Sequence, residues 1–98
     1  MRQYTTPEQT AKLIELGFER PRCLHNCELA YNIGELIEML PSTLNINDIT
    51  RYLNITFDPR VGANTWWVSY IASHSVECKE LIDALYDMVV KLKADGVI

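Results

Sequence analysis

The segment from Ser75 to Gly96 is the one long stretch of this chain with a sustained helical period. Leu81, Ile82, Leu85, Met88, Val89 and Leu92 recur at intervals of three and four, and Cys78 extends the row toward the N-terminus. At 100° per residue these positions fall in an arc of roughly 120°, the width of a core-facing stripe. Acidic and basic residues fill much of the remaining circumference. Asp87 and Lys91, like Lys79 and Asp83, are spaced for i,i+4 pairs. Ser75 is the expected N-cap and Glu77 the acid of the first turn. Such a helix must lay its stripe on another element, which constrains the chain to a layered fold with one small core.

The element it would cover is a hairpin. Ile49, Leu53, Ile55 and Phe57 alternate with Thr50, Tyr52, Asn54 and Thr56, the pattern of a half-buried antiparallel strand. Asp58 to Asn64 is dense in turn formers. Thr65 to Ile71 is the return strand, rich in aromatic and branched residues. Trp66, Val68 and Tyr70 form its bulkier, more apolar face and are expected inside. Thr65, Trp67, Ser69 and Ile71 are then outside.

Two shorter helices precede the hairpin. Thr6-Pro7-Glu8-Gln9 reads as a capping box with proline at the first helical position. Ala11, Leu13, Ile14 and Leu16 supply apolar contacts, Gly17 stops the helix, and Phe18 folds back. Asn32-Ile33-Gly34-Glu35 is a second box, opening a helix with Ile33, Leu36, Ile37 and Leu40 on one side that Pro41 ends. Between them, Arg22 to His25 or Glu28 to Tyr31 could form a short strand. The expected architecture is a single α+β domain, residues 1–98. A small antiparallel sheet of two to four strands, with a central hairpin at about 49–57 and 65–71, is packed on one face by helices at about 7–16, 33–40 and 76–94.

Hydrophobic residues at 48% and charged residues at 22% argue against disorder. A net charge of -4 weighs against broad binding to phosphate backbones. The odd count of cysteines and the lack of a signal-like N-terminus predict free thiols in a reducing, cytoplasmic setting. Without export, the sequon at Asn54-Ile55-Thr56 means little. No apolar run approaches the ~20 residues that span a bilayer.

The sharpest chemical candidate is Cys23, Cys27, His74 and Cys78 as a zinc set. His74 just before the last helix and Cys78 in its first turn could converge. Their spacing departs from the usual Cys-x2-Cys knuckle, and cysteines are often buried for packing alone. Ser73-His74-Ser75 places hydroxyls beside an imidazole, but sequence neighbours rarely aim at one another as nucleophile and base. Cys23 or Cys27 with His25 could make a thiolate pair, with nothing nearby to suggest an oxyanion hole. Glu80, Asp83 and Asp87 read as a solvated face, and the isolated glycines give no phosphate-cradling loop. No catalytic residue and no cofactor are expected.

The hairpin's aromatics remain. With Trp66 and Tyr70 inside, Trp67 and Tyr52 lie on the opposite face, where they anchor a protein partner or are covered by another helix or the N-terminus. Stacking of nucleic-acid bases there lacks flanking cations beyond Arg51 and Arg60. Tyr86 and Val90 widen the apolar surface of the last helix, either as core beneath the second helix or as half of a symmetric dimer contact.

Tyr31-Asn-Ile-Gly-Glu-Leu-Ile-Glu-Met-Leu-Pro41, Trp66-Trp-Val-Ser-Tyr70 and Glu80-Leu-Ile-Asp-Ala-Leu-Tyr-Asp-Met-Val89 together resemble small uncharacterised proteins of Bacteroides-group gut bacteria and of their phages and prophages. The resemblance spans most of the chain from Thr6 to Ile98. It implies a bacterial or phage cytoplasmic origin and carries over no activity, cofactor or catalytic residue. The leading functional expectation is a small non-enzymatic protein–protein interaction or accessory module, including a homodimer, with contacts at Tyr52, Trp67, Tyr86 and Val90. A zinc-binding domain and a nucleic-acid-associated protein are the alternatives. No membrane partner is expected.

Overall fold

Two capping boxes set the first two helices. Thr6 Oγ1 accepts the Gln9 N–H at 3.1 Å, and the Gln9 side chain accepts the Thr6 N–H at 3.0 Å. Asn32 and Glu35 repeat the arrangement at 2.8 and 3.3 Å. Each box satisfies main-chain donors that a helix start would otherwise leave open. The first opens α1 (Pro7–Glu15) and the second α2 (Ile33–Met39). Gly17 ends α1 at φ 98, with Phe18 N–H returned to the Leu13 carbonyl, as its stop signal requires. Leu40 is extended before Pro41, whose ring disfavours helix at the preceding residue.

The computed structural model describes residues 1–60, 63–71 and 73–98, apart from the side chain of Cys23. Val61 and Gly62 of the expected hairpin loop lie outside the described residues. The rest form three helices and two antiparallel sheets. The stretch after α1 contains both candidate strands, β1 (Cys23–His25) and β2 (Glu28–Ala30), paired as a hairpin. The main sheet runs β3 (Thr43–Ile46), β4 (Ile49–Asp58), β5 (Thr65–Tyr70) and β6 (His74–Cys78), in that spatial order. Two tight turns drive the pairing. Asn26 and Cys27 have φ of 51 and 64, and Asn47 and Asp48 have φ of 53 and 63. Two consecutive positive-φ residues match the right-handed twist of the strands they join.

The last helix is shorter than its periodicity predicts. The helix α3 spans Leu81–Ala94, and the residues expected as its first turn are strand β6. Ser75 is therefore not its cap. Glu80 holds the N-cap position without a side-chain cap bond. The reason is non-local. β4 occupies one edge of β5, and the main chain of Trp66, Val68 and Tyr70 on the other edge pairs with Cys78, Val76 and His74. Leaving that inner strand half-paired would strand buried polar groups, and an extended Ser75–Cys78 satisfies them. The return strand likewise ends at Tyr70 rather than Ile71.

α3 lies across β5 and β6, α2 packs against α3, and α1 packs on β2. Leu81, Ile82, Leu85, Met88, Val89 and Leu92 are buried together with Val68 and Tyr70 of the sheet, Leu36 of α2 and Leu13 of α1. Each such side chain contributes roughly 1.5–3 kcal/mol through its removal from water. Trp66, Val68 and Tyr70 are the inward face of β5, as expected, with Trp66 half-buried. The molecule measures 43 × 36 × 17 Å. The short dimension leaves room for one sheet and one helical layer, which stack about 10 Å apart, so among the described residues no layer lies over the far side of the sheet.

Candidate interaction surface

Strand alternation builds the uncovered face. Thr43 pairs with Tyr52, Asn54 with Ser69, and Thr56 with Trp67, which in turn faces Glu77. Side chains opposite one another in an antiparallel pair share a face. Thr43, Tyr52, Asn54, Thr56, Trp67 and Ser69 are thus neighbours on the side away from α3. Tyr52 is 67% exposed and Trp67 37% exposed. Four residues along β4 and one strand across put the two rings roughly 14 Å apart.

The polar groups between them are small and uncharged. Thr56 Oγ1 donates to Asn54 Oδ1 at 2.9 Å, and Thr65 Oγ1 donates to Glu77 Oε2 at 3.1 Å. Glu77 and, by the same alternation, Asp58 with its partner Arg60 bring charge to the Trp67 end of this face. Arg51 turns to the other side, opposite buried Leu44, and its guanidinium donates to the Ile71 carbonyl. Arg60 is held by Asp58, and their contact lowers the Asp58 pKa.

Among the described residues, neither the N-terminus nor a further helix covers these aromatics. The N-terminal segment goes to α3 instead. Arg2 N–H reaches Glu80 Oε2 at 3.0 Å, its guanidinium pairs with Asp83, and Gln9 Nε2 donates to Asp83 Oδ1 at 2.8 Å. The acidic row read as a solvated face is in part a docking strip for the chain's own start. Asp83 consequently pairs with Arg2 rather than Lys79, and Asp87 accepts from the Cys78 thiol at 3.4 Å.

Tyr86 and Val90 are half-buried and packed against the core. Burial, then the Asp87 charge, raises the Tyr86 pKa. They belong to the helical layer, so the structure separates them from Tyr52 and Trp67 by the thickness of the sheet.

His74 and Cys78 of the zinc set do not converge. His74 and Cys78 sit four residues apart on an extended strand, about 13 Å by strand rise, where a helical turn would have brought them together. The His74 ring bonds Ser73 Oγ at 2.6 Å through Nδ1 and Asp95 Oδ2 at 3.0 Å through Nε2. Burial, with the Asp87 contact, pushes the Cys78 thiol up to about 11, away from the thiolate a metal needs. Cys27 is exposed at the β1–β2 turn. The Cys23 side chain lies outside the described residues. Among the described residues no three His, Cys, Asp or Glu side chains group around a common point.

Asp95 completes a serine–histidine–carboxylate chain that sequence reasoning missed, since it lies 21 residues from His74. An open cavity of about 370 Å³ adjoins Ser73 and His74. Ser73 and His74 are consecutive, so their contact is fixed by local backbone. At its far end the chain ties β6 to the C-cap residue of α3. A second cavity, about 240 Å³, lies between Phe18, Arg20, Tyr31 and Met39. Its buried carboxylate, Glu35, is already engaged by the Asn32 and Arg22 main-chain N–H groups. No helix of the described residues is long and apolar enough to cross a membrane.

Comparison of the chain with protein-family models, with curated proteins and with solved structures finds no match.

Proposed function

We propose that this chain is a small non-enzymatic protein–protein interaction or accessory module, of bacterial or phage origin and acting in the cytoplasm. Its partner rests on the uncovered face of the four-stranded sheet. The observation that carries this reading is the exposure of Tyr52 and Trp67 on a face whose middle is uncharged, with Glu77 and the Asp58–Arg60 ion pair at its Trp67 end. Tyr and Trp combine large apolar area with a polar handle and dominate interface hot spots, and charged residues are depleted at interface centres. The intervening Thr, Ser and Asn supply the satisfiable hydrogen bonds that such a contact also needs.

The alternatives find less support. A nucleic-acid surface needs cations beside its stacking platforms, but Arg51 turns to the opposite side and Arg60 is neutralised by Asp58. A zinc site needs His74 and Cys78 within reach of one ion, which strand geometry opposes.

Comparative capture tests the proposal. The wild type and the double variant Tyr52→Ser/Trp67→Thr are used as baits in nuclease-treated extract, with unfolding midpoints matched within about 3 °C. The expected result is a defined protein retained by the wild type and lost by the double variant. Equal recovery of the same proteins by both baits would refute the proposal.

A further inference from the structure

β4 is longer than the strand that covers its outer edge. β3 pairs with Ile49 to Tyr52, and the Leu53 N–H reaches the Ser42 carbonyl at 3.0 Å. From Asn54 to Asp58, β4 pairs with β5 alone. Successive residues of an antiparallel strand send their main-chain groups to alternate sides. Ile55 and Phe57 therefore face the same way as Leu53, into a side where no described strand lies. Their N–H and C=O groups form an open template there.

Natural sheets guard such edges with lysine, proline, bulges or a covering element. The opposite edge of this sheet is guarded. α3 lies along β6, Lys91 Nζ donates to the Ser75 carbonyl at 3.5 Å, and Glu77 and Lys79 charge the strand's end. The overhang from Leu53 to Phe57 has no lysine, no proline and no charge, and the carboxylate of Asp58 is held by Arg60. Phe57, tilted against Trp66 at 4.9 Å, is still 39% exposed, and Ile55 is half-buried.

The geometry points to a second copy of this chain as the occupant, its β4 paired antiparallel with the first about a two-fold axis at Thr56. In that register Ile55 and Phe57 of each copy face Phe57 and Ile55 of the other. All four outward main-chain groups of each copy are then bonded, through four hydrogen bonds in all. Ile55 and Phe57 meet on the core side, which withdraws the exposed part of Phe57 from water. Asn54 faces Asp58, so no like charges oppose. The fit also works end to end. The incoming strand leaves off at Asp58 opposite Asn54, and Ser42 takes over opposite Leu53. Other registers either leave main-chain groups open or drive the incoming strand into Ser42. The two sheets become one, and both uncovered faces lie on the same side of it. This contact rests on the interaction reading but draws on the edge rather than the face; Thr56 also lies on that face, so the Trp67 variant and amide exchange at Ile55 and Phe57 separate the two.

Light scattering of the full chain from ~10 to ~500 µM, where mass action exposes weak dimers, provides the test. The wild type is expected to approach twice its 11.3 kDa. Thr56→Lys and Thr56→Glu each place like charges opposite one another at the closest pair of the junction, and each is expected to dimerise at least tenfold more weakly. Their equimolar mixture is expected to recover the dimer, and a Trp67→Thr variant to keep it. Amide exchange at Ile55 and Phe57 should slow as concentration rises. A wild type that stays at 11.3 kDa throughout overturns the inference. So does a dimer indifferent to Thr56→Lys, and one lost with Trp67→Thr instead assigns self-contact to the uncovered face.

Discussion

Trp66 and Trp67 are consecutive in sequence and lie on opposite sides of one sheet. Trp66 packs against the core cluster and lies 4.9 Å from the Phe57 ring, while Trp67 stands 37% exposed beside Thr56. The face Trp66 shares is closed by α3. Over the face Trp67 shares, no layer lies among the described residues. Residues on the first face act through stability. Residues on the second contribute less to the core, and under the proposed function an aromatic side chain there serves binding.

Substitutions should sort by face. Leu85 is fully buried at the centre of the α3 stripe, and Leu85→Ala is expected to cost about 3 kcal/mol in urea unfolding, from lost transfer energy plus a cavity. Trp66→Ala should cost about 2 kcal/mol, less than a fully enclosed ring because Trp66 is half-buried. A cost near zero for either would break the assignment of that face to the core.

The two described thiols sharpen the same contrast chemically. Cys78 lies on the inward side with its pKa raised to about 11, whereas Cys27 stands exposed in a turn. At neutral pH the thiolate is the reacting species, so iodoacetamide should label Cys27 at least tenfold faster than Cys78, read by peptide mass spectrometry. Equal rates would mean that β6 does not hold Cys78 against the helix.

Tyr70 gives a pH dependence. Burial pushes its hydroxyl from 10.0 up to about 12, and that hydroxyl donates to the Pro41 carbonyl at 2.5 Å. A folded pKa raised above the unfolded value means that the folded state holds its proton longer. The stabilisation is complete below pH 10.0 and is lost as pH rises toward 12. Tyr70→Phe should cost about 1 kcal/mol at pH 7 and make the alkaline fall in unfolding temperature shallower. An unchanged slope would remove Tyr70 as its source. Trp67→Thr, with its ring 37% exposed, should cost no more than about 1 kcal/mol, less than Trp66→Ala because the ring lies outside the core.

What the sequence made legible was local chemistry. Thr6 with Gln9 and Asn32 with Glu35 are near neighbours whose side chains can satisfy a helix start in only a few ways, and both boxes formed. Gly17 and the inward face of β5 were legible for the same reason. The alternation that put Tyr52 and Trp67 outside also placed them correctly. What escaped was set by distant partners. Ser75 to Cys78 carried a credible helix start, yet the open edge of β5 drew them into β6, because strand formation depends on the available neighbour. Asn47-Asp48 was a readable turn signal that the alternation of β4 overshadowed. The Arg2–Asp83 and His74–Asp95 contacts join residues far apart in the chain, and no local pattern announces them.

The most direct test of the uncovered face is photo-crosslinking from its own position in cells. A photoreactive benzoylphenylalanine is placed at position 67 in one variant and at position 66 in another. The account predicts a discrete crosslink to a protein chain from position 67 and none from position 66. No crosslink from 67, or equal crosslinking from both, would contradict it.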